Sequence, residues 1–385
     1  MTTKKGMDLY FFIIILAGIG LRLVMPMRGY NQDVEAYRVV ADIVAHGGNV
    51  YAETKRYNYG PIWFHILHVL DIFPWHGANK LIELRWKVAS FLTMVDVGIF
   101  SMLFRLYGTR IAALFFLNPI SIIITGYHSQ FDNLAVFLGL VSVVIIESRE
   151  KSFWVWIGLI VMGLSLSVKH ILFLFPLWLA FKENRWSKKI FFVAIPYLVF
   201  LFGFLLYMPD GANGILKNVF LYRSGNNAPF WAVFAPGILY KIVPSFVLFI
   251  VTLLVLGLFW RHKKTIESLH LYLISLVVFS SAISTQYFSI CIPSIATQWN
   301  WAYAVYTLVG SVFLLVVGHE LHIAFLQNLL GWDGTEGDIL LIVFLAFGLL
   351  IKSIGKQGID LLVKYIKTTF AWLLEQIQCQ IKAPW

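Results

Sequence analysis

Two carboxylates two residues apart, Asp33 and Glu35, sit in the segment Gly29-Tyr30-Asn31-Gln32-Asp33-Val34-Glu35-Ala36-Tyr37. The apolar positions Tyr37, Val40, Ala41 and Val44 that follow share one helical face, and Gly47-Gly48 ends the pattern. A carboxylate here can take a proton from an attacking hydroxyl, which makes Asp33 a candidate catalytic base and Glu35 its support or a metal partner. The same positions also suit a helix N-cap at Asp33 and a first-turn charge at Glu35, and the two roles are compatible.

Further polar residues interrupt apolar runs. His128-Ser129-Gln130-Phe131-Asp132-Asn133 has five polar residues of six, and Lys169-His170 places two basic side chains between two apolar stretches. Polar groups at membrane depth are functional by default, and a cation pair suits phosphate or pyrophosphate. The plainer roles are a helix start at Asp132 and a Lys169 that snorkels to lipid headgroups. Arg22 and Lys241 occupy similar depths in their runs and suit an anionic headgroup, while Asp96, midway along its own run, reads as a helix-packing hydrogen-bonder. Arg223 falls in Leu221-Tyr222-Arg223-Ser224-Gly225-Asn226-Asn227, and Gln286 in Ser284-Thr285-Gln286-Tyr287. In Tyr57-Asn58-Tyr59-Gly60-Pro61-Ile62-Trp63, Gly-Pro turns the chain, and Trp63 with Trp75 is expected to anchor at the interface. His319-Glu320-Leu321-His322 spaces its histidines three apart, not the four a zincin needs.

The elements that hold these residues must be solvated by lipid. Of 385 residues, 59% are hydrophobic and 13% charged, against about 25% charged in soluble domains. The +10 net charge fits basic inner loops better than nucleic-acid binding. Cys291 and Cys379, far apart, imply no disulfide framework. The basic N-terminus and the apolar run after it, with no small-residue cleavage site, read as a retained first span. Apolar runs near 9–27, 88–104, 111–126, 131–146, 153–168, 171–181, 190–208, 237–259, 269–290, 301–318 and 338–351 are eleven candidate spans, and 359–377 is amphipathic. Two long polar loops remain, 28–87 and 209–236.

Lys4 and Lys5, Arg105 and Arg110, Arg149 and Lys151, Lys182 to Lys189, and Arg261 to Lys264 all fall on one side if the N-terminus is cytoplasmic. That holds only if residues 153–181 are two short spans meeting at Lys169-His170. A 16-residue helix covers about 24 Å, less than the roughly 30 Å hydrocarbon core, so such tips are recessed. A recessed polar tip is tolerated where it lines a cavity.

Taken together, the chain resembles the GT-C superfamily of integral-membrane glycosyltransferases. Asp33-Val34-Glu35 is similar to the acidic motif of that family's first outer loop. Gly126 to Asn133 and Val168-Lys169-His170-Ile171 resemble stretches of the dolichyl-phosphate-glucose glucosyltransferases, which are related to mannosyltransferases; those enzymes more often carry Tyr-Asn where this chain has Phe131-Asp132. Ser284-Thr285-Gln286-Tyr287-Phe288 is similar to a late-span motif. The resemblance runs over most of residues 8–300.

The resemblance implies an all-α polytopic membrane protein, a GT-C-like bundle of about 11 (10–13) transmembrane helices with amphipathic outer-loop helices. Residues 1–318 would be the catalytic module, and 319–385 carry C-terminal membrane helices of unassigned role. It further implies an inverting transfer of glucose or mannose from a polyprenyl- or dolichyl-phosphate sugar to a lipid-linked or surface glycan at the outer face. The expected membrane is the plasma membrane in a prokaryote and the ER in a eukaryote. Asp33 would deprotonate the acceptor; Lys169, His170 and Arg22 would stabilise the leaving phosphate; His128, Gln130, Asp132, Gln286 and Arg223 complete the donor-binding set. No cofactor is required by these residues, and a divalent metal is compatible with them. The competing class is a secondary transporter of a polar solute or lipid-linked sugar, which puts ionisable groups at the midplane of repeated helices; no repeat is visible here.

Overall fold

A computed structural model describes residues 9–29, 32–74, 79–148, 152–222, 228–234, 242–316, 325 and 337–353 of the chain. Among these residues every regular element is a helix. Helix α1 (Leu9–Val24) and a 3-10 turn, Met25–Arg28, form a 20-residue apolar rod. Then come α2 (Asp33–Ala45), α3 (Val50–Glu53) and α4 (Pro61–Ile72). Gly47, at φ 73°, and Gly48 close α2 with a Schellman pair: their N–H groups donate to Val44 and Ile43. The α2 face expected to be apolar is buried at Tyr37, Val40 and Ala41; Val44 packs on the same core half-buried.

Helix α5 (Lys80–Tyr107) is 28 residues long, about 42 Å at the usual rise. It begins eight residues before the expected span at 88–104. Asn79 caps it by accepting from the Leu81 N–H, and Lys87 pairs with Glu83 one turn back at 2.6 Å. The expected span at 111–126 is instead two helices, α6 (Thr109–Phe116) and α7 (Pro119–Gly126), bent by 51°. Pro119 has no N–H for a continuous helix, and Asn118 caps α7 by accepting from Ile120.

Helices α8 (Asp132–Ser148) and α9 (Ser152–Val168) pack along each other. At Lys169-His170 the chain turns through 117° into a 3-10 turn, His170–Leu172, and α10 (Phe175–Phe181). Residues 153–181 thus form two short apolar segments, not one straight span. Helix α11 (Trp186–Phe202) continues through a 3-10 turn, α12 (Met208–Gly214) and a π-helical turn, Ile215–Phe220, giving a 35-residue rod. Residues 209–220 of the expected loop 209–236 are therefore helical. A short helix, α13 (Pro229–Phe234), follows. The expected span at 269–290 breaks: Thr265–Phe279 is a helix, Thr285–Ser289 a 3-10 turn, and Ile292–Thr297 a new short helix. Ser245–Phe259, Trp301–Val316 and 337–353 are the remaining helices. Positions 319–322 and the stretch 359–377 lie outside the described residues.

Among the described residues three helices are long and apolar enough to cross a membrane, Leu9–Arg28, Lys80–Tyr107 and Trp186–Phe220, or up to five if each bent pair counts as one span. Shorter apolar helices of 10–17 residues join them. The chain is an integral membrane protein built of helices; the eleven runs do not map one to one onto long helices, because Asn118-Pro119 and Ser280 to Ser284 break two of them.

Arg22 belongs to the scaffold. Its Nε donates to Asp96 Oδ2 at 2.8 Å, Nη1 to the Gly18 and Phe116 carbonyls, and Nη2 to Ser121 Oγ. Asp96 also accepts from Thr125 Oγ1 at 2.7 Å and Asn133 Nδ2 at 2.8 Å. Four of five guanidinium donors are spent, so the expected role of Arg22 at a donor phosphate is replaced by a tie among α1, α5 and α7.

Asp96→Ala leaves a buried guanidinium uncompensated and should cost about 3–5 kcal/mol, read as a lowered unfolding midpoint in detergent. The double change Arg22→Met with Asp96→Leu should recover most of that loss. Sidedness is tested by Arg56→Cys and His262→Cys in a background without Cys291 and Cys379. A membrane-impermeant thiol reagent applied to intact cells should label position 56 and spare 262; the opposite pattern reverses the expected orientation.

Candidate functional site

The turn between α7 and α8 builds the site. The N–H groups of Tyr127 and His128 both donate to the Ile123 carbonyl, closing α7. Ser129 then adopts φ 54°, a left-handed conformation that costs a non-glycine residue roughly 1–2 kcal/mol. Phe131 beyond it is fully buried and stacks on Trp63, centroids 4.1 Å apart and planes within 12°. Trp63 is itself fully buried, so it packs under this turn and is not the interfacial anchor expected. Trp75 lies outside the described residues.

With the turn held, Gln130 Nε2 donates to Asp33 Oδ2, across 97 positions of sequence. Asp33 is the first residue of α2; the cap position is Gln32, whose side chain makes no cap hydrogen bond. The carboxylate thus meets the 128–133 turn. Two residues on, Asp132 Oδ2 accepts from Lys169 Nζ at 2.6 Å. Both side chains are buried, so Lys169 does not snorkel. Its ammonium also lies 5.1 Å from the Tyr59 ring and 5.0 Å from the Phe131 ring. Asp33, Gln130, Asp132 and Lys169 therefore form one cluster drawn from three separate segments.

The other predicted residues are placed differently. His128 is buried within the same turn, stacking edge-on against Tyr127. Glu35 is exposed and forms no ion pair among the described residues. Only Asp33 of the acidic motif meets the turn. His170 opens the 3-10 turn half-buried and makes no side-chain hydrogen bond among the described residues. Gln286 accepts from Ser284 Oγ at 3.3 Å; its neighbour Tyr287 lies within electrostatic reach of Lys169 and Asp132. Arg223 and Lys241 lie outside the described residues. No group of three or more His, Cys, Asp or Glu is positioned for a metal ion among the described residues.

Tyrosines are the residues that the motifs did not single out for the site. Tyr37, buried, and Tyr59, half-buried, lie beside Asp33 and Asp132; desolvation, then the charge of Asp33, pushes both phenols well above their ordinary value. They remain O–H donors at any physiological pH. Tyr37 was legible only as part of an apolar helix face, although a phenol on a Val/Ala face is the one hint it offers. Buried atoms in this region, among them Tyr37 Oη, Ser129 Oγ, Gln130 Oε1 and Asp132 Oδ1, have no hydrogen-bond partner among the described residues. Each such group costs about 1–3 kcal/mol.

No protein-family model and no curated protein matches the chain. Among solved structures, it is similar to ArnT from Cupriavidus metallidurans in the apo state, at 13% identity, over 91% of this chain and 77% of that one, with a TM-score of 0.49.

Gly60 brings Tyr59 to the cluster. A Cβ there would sit 2.1 Å from the Ser167 carbonyl oxygen, two residues before Lys169. Backbone cannot yield as a flexible side chain does. Gly60→Ala is expected to lower the unfolding midpoint. Gly20→Ala, whose Cβ meets nothing within 4 Å, should leave it unchanged or raise it.

Proposed function

We propose that this protein is an inverting, GT-C-type glycosyltransferase that moves glucose or mannose from a polyprenyl-phosphate donor to a lipid-linked or surface glycan. The observation that carries the reading is a single one: a half-exposed carboxylate, Asp33, tied by Gln130 to a turn whose next polar side chain, Asp132, holds the buried cation Lys169. Base and cation come from segments far apart in sequence and meet where apolar helices break. The resemblance of the Asp33, 126–133, 168–171 and 284–288 motifs to those of the superfamily supports the same assignment.

In this reaction Asp33 accepts the proton of an acceptor hydroxyl as its oxygen bonds the anomeric carbon. The bond from that carbon to the lipid phosphate breaks, and the phosphate leaves with the electron pair. Lys169 offsets the charge that develops there, and Asp132 positions its ammonium. Tyr37 and Ser129 contribute hydroxyls for the sugar. An apolar groove of about 420 Å³, lined by Pro61, Ile62, Leu164, Leu198, Val199 and Phe202, begins beside the Gly60–Ser167 contact and suits the isoprenoid chain.

Asp33→Asn keeps a side-chain oxygen that can accept from Gln130, so the fold should hold. Transfer assayed with a panel of polyprenyl-phosphate sugars should fall on the order of 10²–10⁴-fold, because an amide cannot take the proton. Asp33→Glu should also lose rate, since its extra methylene shifts the base by about an ångström. Near wild-type rates from Asp33→Asn, with an unchanged unfolding midpoint, would remove Asp33 as base. Lys169→Ala should raise the donor concentration for half-maximal rate or lower turnover.

A further inference from the structure

A second pocket lies away from the Asp33 cluster. Asn133, next to Asp132, donates to the Leu92 carbonyl on α5. From Leu92, Tyr107 lies about 22 Å further along the helix at 1.5 Å per residue. Gly108 turns the chain there, and Arg110 follows in the first turn of α6. The pocket is about 530 Å³, with one wall from Arg110, Ile111 and Leu114. Its floor is Gln298-Trp299-Asn300, where the short helix Ile292–Thr297 hands over to Trp301–Val316; the far wall is Ile351 and Lys352.

Three features of this pocket point to one ligand chemistry. Arg110 and Lys352 are exposed at its edge, and neither has an acidic partner among the described residues. Gln298 is only 8% exposed, and its Oε1 has no hydrogen-bond partner among the described residues. It cannot be helped by Asn300, whose Oδ1 accepts from Ala302 and Tyr303 and whose Nδ2 donates to the carbonyls of Gln298 and Gly348. The remaining lining includes Trp299, with exposed Trp301 on the next turn of chain, as indoles sit at headgroup level. Two cations ask for a phosphate, and a buried carbonyl oxygen asks for a hydroxyl donor beside it.

We infer that this pocket binds the headgroup of an anionic phospholipid, its phosphate between Arg110 and Lys352 and a glycerol-type hydroxyl donating to Gln298 Oε1. The site lies toward the opposite end of α5 from the proposed catalytic cluster, and it stands or falls independently of the transferase reading. Its occupant would tie α6 to the C-terminal end of helix 337–353, so the bound lipid stabilises the bundle.

The test uses the full chain in detergent with added phosphatidylglycerol, phosphatidic acid without a headgroup hydroxyl, phosphatidylcholine or inorganic phosphate, read by native mass spectrometry and thermal unfolding. Wild type is expected to retain one phosphatidylglycerol and to gain unfolding temperature from it. Arg110→Gln with Lys352→Gln should weaken that retention about thirtyfold, at roughly 1 kcal/mol per cation near a headgroup. Gln298→Leu, which removes no side-chain hydrogen bond among the described residues, should abolish the preference for phosphatidylglycerol over phosphatidic acid. Both variants should match wild type in unfolding temperature before lipid is added. If that holds, three outcomes overturn the proposal: equal retention of phosphatidylglycerol and phosphatidylcholine, retention untouched by Arg110→Gln with Lys352→Gln, or binding of inorganic phosphate without lipid. If the double variant differs in unfolding temperature before lipid, charge reversal by Arg110→Glu alone replaces it, with the same criteria.

Discussion

A charge buried away from water must find its counter-charge inside the protein, and two such pairs organise this bundle. Arg22 with Asp96 joins α1 to α5 and draws in α7 through Ser121 and Thr125. Lys169 with Asp132 joins the end of α9 to the start of α8. The two systems touch through neighbours in sequence, because Asn133 donates to Asp96 while Asp132 accepts from Lys169. Removing one partner leaves the other charge unpaired, so the relative positions of these helices are set far more tightly than apolar contacts in lipid would set them.

That arrangement explains why a costly turn survives. The left-handed Ser129 sits between a closed helix end and a Phe131 ring stacked on Trp63. Strain of this kind persists only where its surroundings over-determine it. Here the product of the strain is geometric: Gln130 reaches Asp33 on one side while Asp132 reaches Lys169 on the other. The loop helices α2 and α4 supply the remaining wall, held together by Arg38 bridging Asp42 and Asp71. Tight approaches such as Gly60 on Ser167 and Gly214 on Tyr51 let backbone pass where a side chain would not fit.

Much of the architecture was legible in the amino-acid sequence. Lipid solvation follows from composition, because a chain with so few charges cannot cover itself with polar surface. The reversal at Lys169-His170 followed from charge placement alone: one straight span would have put later basic clusters on the wrong side. Asp96 as a packing group was readable from its lone position in an apolar run. Helix ends were less so. Asn118-Pro119 and Asn79 are explicit cap signals, yet hydropathy over a window of many residues smooths across them, and the breaks appear only when local hydrogen bonds are traced.

The candidate site divides along the same line. Polar interruption alone marked Gln130, Asp132 and Lys169 as out of place in apolar surroundings, since the cost of burying them is a local property, and Asp33 stood out by its pairing with Glu35. Which of them meet was a matter of the third dimension. Sequence order gives no distance between positions 97 apart, so it treated Arg22 and Lys169 alike as cations near a recessed face. Packing separated them: Arg22 found Asp96 and three further oxygen acceptors in the scaffold, while Lys169 found Asp132 at the turn beside Asp33. Tyr37, apolar by periodicity, and Tyr59, read only as part of a Gly-Pro turn segment, became polar members of the site only because tertiary contacts brought them beside two carboxylates.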